Sequence, residues 1–210
     1  MRVQSVERAI QAAISAGEFQ PGERLIEADL TERFSISRNT LREAYAALVS
    51  QGLLVRVPNR GVFLTSPDAS LIRDMYRART ALESTALLTG NVDGDVLDEI
   101  VRRAETAQTE QRWRDVGSLN QEFHRAIVAS LRSDLLDDTM DRILSLMRLT
   151  FLAVTEFDGS FHDEFVGHNR ATVDVLRRDG RDAAARRMTE YLRHAQCETL
   201  ALVESAAANR

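Results

Sequence analysis

The chain has 210 residues, of which 44% are hydrophobic and 28% are charged, and its formal net charge is −5. These proportions are typical of a globular protein with a hydrophobic core, and the length predicts one or two domains. The single cysteine, Cys197, excludes a disulfide framework and a multi-cysteine zinc site. The first thirty residues carry several charges and no apolar run is as long as a membrane span. We therefore expect a cytoplasmic protein without a signal peptide.

The charges are distributed unevenly along the chain. All 27 basic residues are arginine. Residues 1–66 contain eight arginines and seven acidic residues, whereas residues 67–210 contain 19 arginines and 25 acidic residues. This difference predicts two regions of different electrostatic character. The nearly neutral first region does not by itself indicate a nucleic-acid partner, so the positions of its arginines have to decide that question.

Apolar residues at helical spacing predict three short helices near the N-terminus. These helices cover residues 3–16, 27–34 and 38–51. The hydroxyl of Ser37 is placed to cap the third helix, and Gly52 ends it. Residues 53–57 and 61–65 then predict two strands around a Pro-Asn-Arg-Gly turn, which is a β-hairpin wing.

The rest of the chain predicts helices only. Ser66-Pro67-Asp68 marks the boundary between a domain over 1–66 and a domain over 69–210. The predicted helices of the second domain cover 69–89, 95–112, 116–131, 134–157, 161–178 and 181–206. Because the loops between them are short, neighbouring helices should pack antiparallel. The predicted fold class is mainly α, a winged helix-turn-helix followed by an antiparallel bundle of six or seven helices.

The second and third helices, joined by a three-residue turn, form a helix-turn-helix pattern. In such a motif the second helix enters the major groove and presents its N-terminal residues to base edges. Arg38 and Arg42 lie four residues apart on one face of this helix, and arginine can donate two hydrogen bonds to guanine. Asn59 and Arg60 at the wing tip are placed to reach a phosphate or a minor groove. Arginine is also common on solvated helices, so spacing favours DNA binding without deciding it.

Several motifs of this region resemble the GntR family of winged-helix regulators. They are Pro21-Gly22-Glu23-Arg24-Leu25, Glu27-Ala28-Asp29-Leu30, Ser37-Arg38-Asn39-Thr40-Leu41-Arg42-Glu43-Ala44 and Pro58-Asn59-Arg60-Gly61. The resemblance implies that Arg24, Arg38, Arg42 and Arg60 contact double-stranded operator DNA. Asn39-Thr40 departs from the small residue and proline of many members, at the entry to the recognition helix, where the difference could change base preference. The full candidate DNA-binding set is Arg24, Ser37, Arg38, Asn39, Thr40, Arg42, Asn59, Arg60 and Gly61.

Polar residues also fall on the apolar stripes of the predicted bundle. Arg79 and Glu83 lie on the inner face of its first helix, either as an internal ion pair or as an arginine that awaits a ligand carboxylate. Asn120, His124, His168 and His194 come from three other helices and could meet at one divalent metal of the zinc or nickel type. A single histidine on such a helix is more often a core or rim residue.

The bundle resembles the FCD ligand-binding domain of the FadR-type subfamily. The matching segments are Arg79-Thr80-Ala81-Leu82-Glu83, Asn120-Gln121-Glu122-Phe123-His124, His168 and Met188-Thr189-Glu190-Tyr191-Leu192. The resemblance implies an organic acid beside a metal held by an acidic residue and three histidines. Asn120 stands where an aspartate is frequent and Tyr191 where the last histidine is expected, with His194 one turn further on. A weaker metal site and a metal-free site both remain open.

The two regions together predict a homodimeric, ligand-responsive transcription regulator that binds a palindromic operator and is not an enzyme. Its effector is expected to be a small carboxylate bound by Arg79, Glu83, Asn120, His124, His168 and Tyr191. The metal candidates are Asn120, His124, His168 and His194, with one ion per chain. Repression relieved by ligand is the commoner logic of the family, although the residues do not determine the sign. The alternatives are a metal-dependent enzyme in the helical domain and a pure metal sensor. The enzyme is the weaker alternative, because the sequence contains neither a serine nucleophile elbow nor a phosphate-binding glycine loop.

Overall fold

A computed structural model describes residues 3–154 and 163–208 of the chain. Its N-terminal part has three helices, which are α1 (Val3–Ser15), α2 (Glu27–Phe34) and α3 (Arg38–Ser50). The core of this part is formed by the inner face of α1, which packs on α3, and by Leu41, Ala44, Tyr45 and Leu48 of α3. Ser35, in the left-handed conformation at φ 51°, ends α2 and allows the tight turn into α3.

Three short antiparallel strands complete the N-terminal part. They are β1 (Arg24–Leu25), β2 (Leu54–Val57) and β3 (Gly61–Leu64), in the spatial order β1-β3-β2. The register aligns Arg24 with Phe63 and Val57 with Gly61. The hairpin was predicted, whereas β1 was not. A strand of two residues has no periodicity to detect, and it exists because β3 offers it a pairing edge.

The remaining helices agree closely with the predicted ones. They are α4 (Ala69–Thr89), α5 (Gly94–Thr109), α6 (Trp113–Ala129), α7 (Asp134–Val154), α8 (Asp163–Asp179) and α9 (Arg181–Ala208). Asp93 caps α5 by accepting hydrogen bonds from the backbone N–H groups of Asp95 and Val96. The predicted end of α7 at 157 and the predicted start of α8 at 161 lie outside the described residues. In the bundle, α4 packs on α9, α5 packs on α6 and α8, and α8 packs on α9.

The described chain divides into two compact units. The first runs through Asp68 and also contains Leu144–Ala153, the later part of α7, where Ser145 Oγ lies 2.9 Å from Ser15 Oγ. The second contains the rest of the described residues. The sequence predicted one division of the chain, between residues 66 and 69, and did not assign Leu144–Ala153 to the first unit. Helical periodicity identifies the buried face of a helix, but it does not identify the element that packs against that face. None of the described helices is long and apolar enough to cross a membrane.

The structure confirms the predicted fold class. The chain is mainly α-helical, with a small antiparallel sheet after the N-terminal helix-turn-helix and only helices beyond it in the described residues.

Candidate DNA-binding face and candidate effector site

The start of α3 is held in shape by its own polar side chains. Ser37 has an extended backbone conformation, and its Oγ accepts a hydrogen bond from the backbone N–H of Thr40 at 3.1 Å. The Ser37 and Thr40 hydroxyls lie 2.8 Å apart, and Asn39 Nδ2 donates to Glu43 Oε1 at 2.7 Å. The departure at Asn39-Thr40 therefore leaves a fully capped helix start, in which Thr40 supplies the capped N–H that proline lacks.

The two arginines of α3 have different surroundings. Arg42 Nε donates to Glu27 Oε1 across 3.2 Å, although 62% of the Arg42 side chain remains exposed. Arg38 is exposed and has no ion-pair partner among the described residues. Its guanidinium is therefore free to accept a new partner without breaking an existing pair. The role of Glu27 was not predicted, because it lies fifteen residues from Arg42.

The wing tip brings a second group of arginines together. Asn59 and Gly61 both have positive φ angles, 61° and 114°, which close the tight turn between β2 and β3. A Cβ atom on Gly61 would lie 3.2 Å from Arg24 Nε, so the side chain of Arg24 passes directly beside the wing. Arg60 is exposed, with its guanidinium 6.0 Å from the ring centre of Phe63. All nine candidate DNA-binding residues are exposed or half-buried.

In the second unit, four buried polar residues from α4, α6 and α9 form a continuous set of hydrogen bonds. Arg79 Nε donates to Glu83 Oε1 at 2.8 Å, and Glu83 Oε2 lies 2.6 Å from His124 Nδ1. His124 Nε2 lies 3.3 Å from the Tyr191 hydroxyl. We call these residues, Arg79, Glu83, His124 and Tyr191, the buried polar cluster. They are among the candidate effector residues, which are widely separated in the sequence.

Protonation states follow from burial and charge within the cluster. Burial alone would raise the pKa of Glu83, but the facing Arg79 and His124 outweigh it and hold that pKa below its usual value. Burial lowers the pKa of His124 against the opposing attraction of Glu83, so the imidazole is neutral at neutral pH. Because an ionised Glu83 only accepts hydrogen bonds, His124 donates through Nδ1 and accepts at Nε2 from the Tyr191 hydroxyl.

One donor of the cluster is unused. Arg79 Nη2 is buried and has no hydrogen-bond partner among the described residues, while Nε of the same side chain is engaged with Glu83. The guanidinium lies 5.4 Å from the ring centre of Tyr76. A buried N–H without an acceptor costs free energy, and a guanidinium is well suited to a carboxylate. Nη2 of Arg79 is therefore a candidate donor to the carboxylate of a ligand.

The other candidate residues make separate contacts. Asn120 is buried, and its Oδ1 accepts a hydrogen bond from Asn169 Nδ2 at 2.8 Å. His168 stacks on Tyr191 with ring centres 4.8 Å apart, and its Nδ1 accepts from Arg187 Nη2 at 2.7 Å. His194 is half exposed and lies beside Glu164. Asn169, Arg187 and Glu164 were not predicted, although Glu164 and His168 have the i, i+4 spacing that could have revealed the pair.

Of the four predicted metal ligands, Asn120, His124, His168 and His194, two belong to a group of three possible ligand atoms, which His168 and His194 form with Glu164. The ligand atoms of Asn120 and His124 are already hydrogen-bonded to protein partners. Tyr191 packs against both the His124 and the His168 rings, at 5.6 and 4.8 Å between ring centres. Its phenol occupies the position of the expected third histidine, and a neutral phenol with a raised pKa is a poor metal ligand.

We predict that the stability of the second unit decreases with acidification below about pH 6.5, the ordinary pKa of histidine. Because the folded pKa of His124 is lowered, the unfolded chain binds more protons as the pH falls, and stability is lost. Urea unfolding between pH 8 and pH 5 measures this dependence. The variant His124→Gln should show a shallower slope over this range. His168, whose pKa is lowered by burial and by Arg187, keeps part of the slope. An unchanged slope in His124→Gln would contradict the assignment of a neutral buried imidazole.

Comparisons with known proteins agree with both parts of the chain. Residues 2–64 match the model of the bacterial regulatory proteins of the gntR family, and residues 74–194 match the FCD domain. The HTH-type transcriptional repressor GlaR of Escherichia coli is 28% identical over 96% of this chain and 95% of its own length. The uncharacterized HTH-type transcriptional regulator YdhC of Bacillus subtilis is 26% identical over 91% of this chain and 87% of its own length.

A solved structure is similar over almost the whole chain. A putative transcriptional regulator GntR from Rhodococcus sp. RHA1 superposes with a TM-score of 0.83 at 29% identity, over 95% of this chain and 97% of that one. The family and these relatives are transcription regulators rather than enzymes, so the enzyme alternative is not favoured. The chain belongs to the gntR family of bacterial regulatory proteins with an FCD domain, and it is a ligand-responsive, DNA-binding transcription regulator.

Proposed function

We propose that this regulator is a homodimeric repressor that is released from its operator by a small organic acid bound at the buried polar cluster. The observation that supports this proposal is the unused Nη2 donor of Arg79, which is buried next to the Glu83 pair. A carboxylate of the effector would accept this N–H as a charge-assisted hydrogen bond. Tyr191 and His168, which stack on each other, would form one apolar wall for the carbon skeleton of the acid. Asn120 would add a polar contact.

The operator would be read by α3 and the wing. Arg38 and Arg42 would contact base edges in the major groove, with Ser37, Asn39 and Thr40 at the helix start. Arg24, Asn59, Arg60 and Gly61 would contact the backbone or the adjacent minor groove. Seven of the nine residues are exposed and the other two, Thr40 and Gly61, are half-buried, which supports these roles. A dimer would place two such faces on half-sites about 34 Å apart, which makes the operator palindromic.

Regulation requires that the acid bind two arrangements of the dimer with different affinity, since a ligand without that difference shifts nothing. We propose repression rather than activation because a similar protein, GlaR of Escherichia coli, is named a transcriptional repressor. Some FCD domains bind metals, but the carboxylate of Glu83 and both ring nitrogens of His124 are engaged within the buried polar cluster. We therefore propose that the acid binds there without a metal ion.

The test is a thermal-shift screen of short mono- and dicarboxylates, together with their amides, followed by calorimetry. For the best acid, we expect Arg79→Lys to weaken binding by about 10- to 100-fold, because lysine keeps the charge next to Glu83 but lacks the second guanidinium donor. The control Arg103→Lys changes an exposed arginine paired with Glu122 and should bind the acid like the wild type. Equal binding of acid and amide, or wild-type affinity in Arg79→Lys, would disprove the proposed anchor.

A further inference from the structure

A second group of ligand atoms lies at the surface where α8 packs on α9, outside the buried polar cluster. Glu164 Oε1 is 2.7 Å from His194 Nε2 and 3.4 Å from His168 Nε2. The three atoms all lie within 4.8 Å of one another. Glu164 and His168 are one turn apart on the same face of α8, and His194 faces them from α9.

These separations are close to those of a metal coordination sphere. Zinc binds imidazole nitrogen and carboxylate oxygen at about 2.0–2.2 Å, so neighbouring ligand atoms of a tetrahedral site are about 3.3 Å apart. The pairs at 2.7 and 3.4 Å bracket this separation. Two histidines and one carboxylate are a frequent ligand set for zinc sites that keep open coordination positions. All three ligand atoms lie within 4.8 Å of one another, so side-chain rotation would complete the coordination sphere around an ion.

We propose that Glu164, His168 and His194 bind one divalent metal ion such as Zn²⁺ at the outer edge of the α8–α9 pair. The remaining coordination positions face solvent, because 55% of the Glu164 side chain and 43% of the His194 side chain are exposed. Water or an acidic ligand from solution fills them. This site differs from the predicted one, since Glu164 replaces Asn120 and His124 as a ligand. It shares His168 with the proposed acid site, but its other two ligands, Glu164 and His194, take no part in the buried polar cluster.

Arg187 determines how strongly this site binds. A metal on His168 Nε2 requires the proton to be on Nδ1, where a hydrogen-bond acceptor would stabilise it. Instead, Arg187 Nη2 donates to Nδ1 at 2.7 Å and keeps the proton on Nε2. Metal binding must therefore displace the Arg187 guanidinium and shift the His168 proton from Nε2 to Nδ1. Replacement of Arg187 by a residue that accepts from Nδ1–H removes this competition.

The test is a titration of the purified, tag-free protein with Zn²⁺ against a chelator, with Co²⁺ absorption as a report on coordination. We expect one ion per chain. Glu164→Gln and His194→Gln should each weaken Zn²⁺ binding at least tenfold, and Arg187→Gln should tighten it by about tenfold, since partners of a ligating histidine change affinity by about 10- to 100-fold. Arg186→Gln removes an equal charge from an exposed position beside Arg187 and should leave the affinity unchanged.

Two results would overturn the site. One is wild-type Zn²⁺ affinity in both Glu164→Gln and His194→Gln, whose half-exposed side chains can change without loss of the fold. The other is loss of Zn²⁺ binding in folded His124→Gln with retention in His194→Gln, which would assign the ion to the buried polar cluster. Because the measurement uses neither DNA nor an organic acid, its failure is distinct from a failure of the proposed effector response.

Discussion

Replacement of Arg38 by alanine is expected to reduce operator affinity by about 30-fold or more. A bidentate arginine–base contact contributes about 1–3 kcal/mol, and the proposed homodimer would lose two of them. Arg38 is exposed at the start of α3 and has no ion-pair partner among the described residues, so its removal leaves the fold intact. Fluorescence anisotropy with the promoter-proximal DNA of the neighbouring genes, at fixed salt concentration, measures the loss.

Arg42→Ala and Arg186→Ala are the comparisons for this experiment. We expect a smaller loss for Arg42→Ala, because its guanidinium must first leave Glu27 to reach the DNA. Arg186→Ala removes the same charge from an exposed position on α9 and should bind the operator like the wild type. If all three variants bound equally well, α3 would not be the element that reads the operator.

Replacement of Arg79 by methionine is expected to lower the free energy of unfolding of the second unit by about 3–5 kcal/mol. This is the usual effect of removing one partner of a buried ion pair, because the remaining charge stays buried without compensation. Here the remaining charge is Glu83, whose side chain is fully buried and whose low pKa depends on Arg79. Urea unfolding followed by the fluorescence of Trp113, the only tryptophan of the chain, reports on this unit.

The double variant Arg79→Met with Glu83→Gln distinguishes a lost charge pair from a lost packing contact. Glutamine is neutral and can still accept from His124, so the double variant should recover most of the stability lost in Arg79→Met. If the two substitutions destabilised additively, the pair would contribute through packing alone. In either case, the comparison measures how much the charge interaction between Arg79 and Glu83 contributes to the free energy of unfolding.

Several features of the DNA-binding part could be predicted because they depend on neighbouring residues in the chain. The cap formed by Ser37 and Thr40 involves residues three positions apart, and the bounds of α2 were predicted without error. The turn between the two strands follows from Asn59 and Gly61, whose positive φ angles few other residue types adopt without strain. Caps and turns of this kind depend only on residues a few positions apart, so they can be predicted from the sequence without knowledge of the tertiary structure.

The sites of the helical part depend on contacts that no local pattern encodes. The pair Arg79–Glu83 was recognisable from its i, i+4 spacing, but whether it was closed or open to a ligand was not. His124 joins Glu83 from 41 residues away, and His194 joins Glu164 from 30 residues away rather than meeting Asn120 and His124. Such contacts depend on how each helix is rotated about its own axis and how closely it packs on its neighbour. Rotating one helix by a single residue position would bring a different side chain into the contact.

The amino-acid sequence by itself determined the fold class, most element boundaries, the positions of the arginines on α3 and the wing, and the separation of a nearly neutral part from an acidic one. Each of these depends on residue type and short-range spacing. The tertiary structure decided the strand β1, the partner of Arg42, the unused donor of Arg79 and the contact of His194 with Glu164. Each of these requires two distant segments to meet, and their meeting is determined by side-chain packing over the whole unit rather than by any single segment.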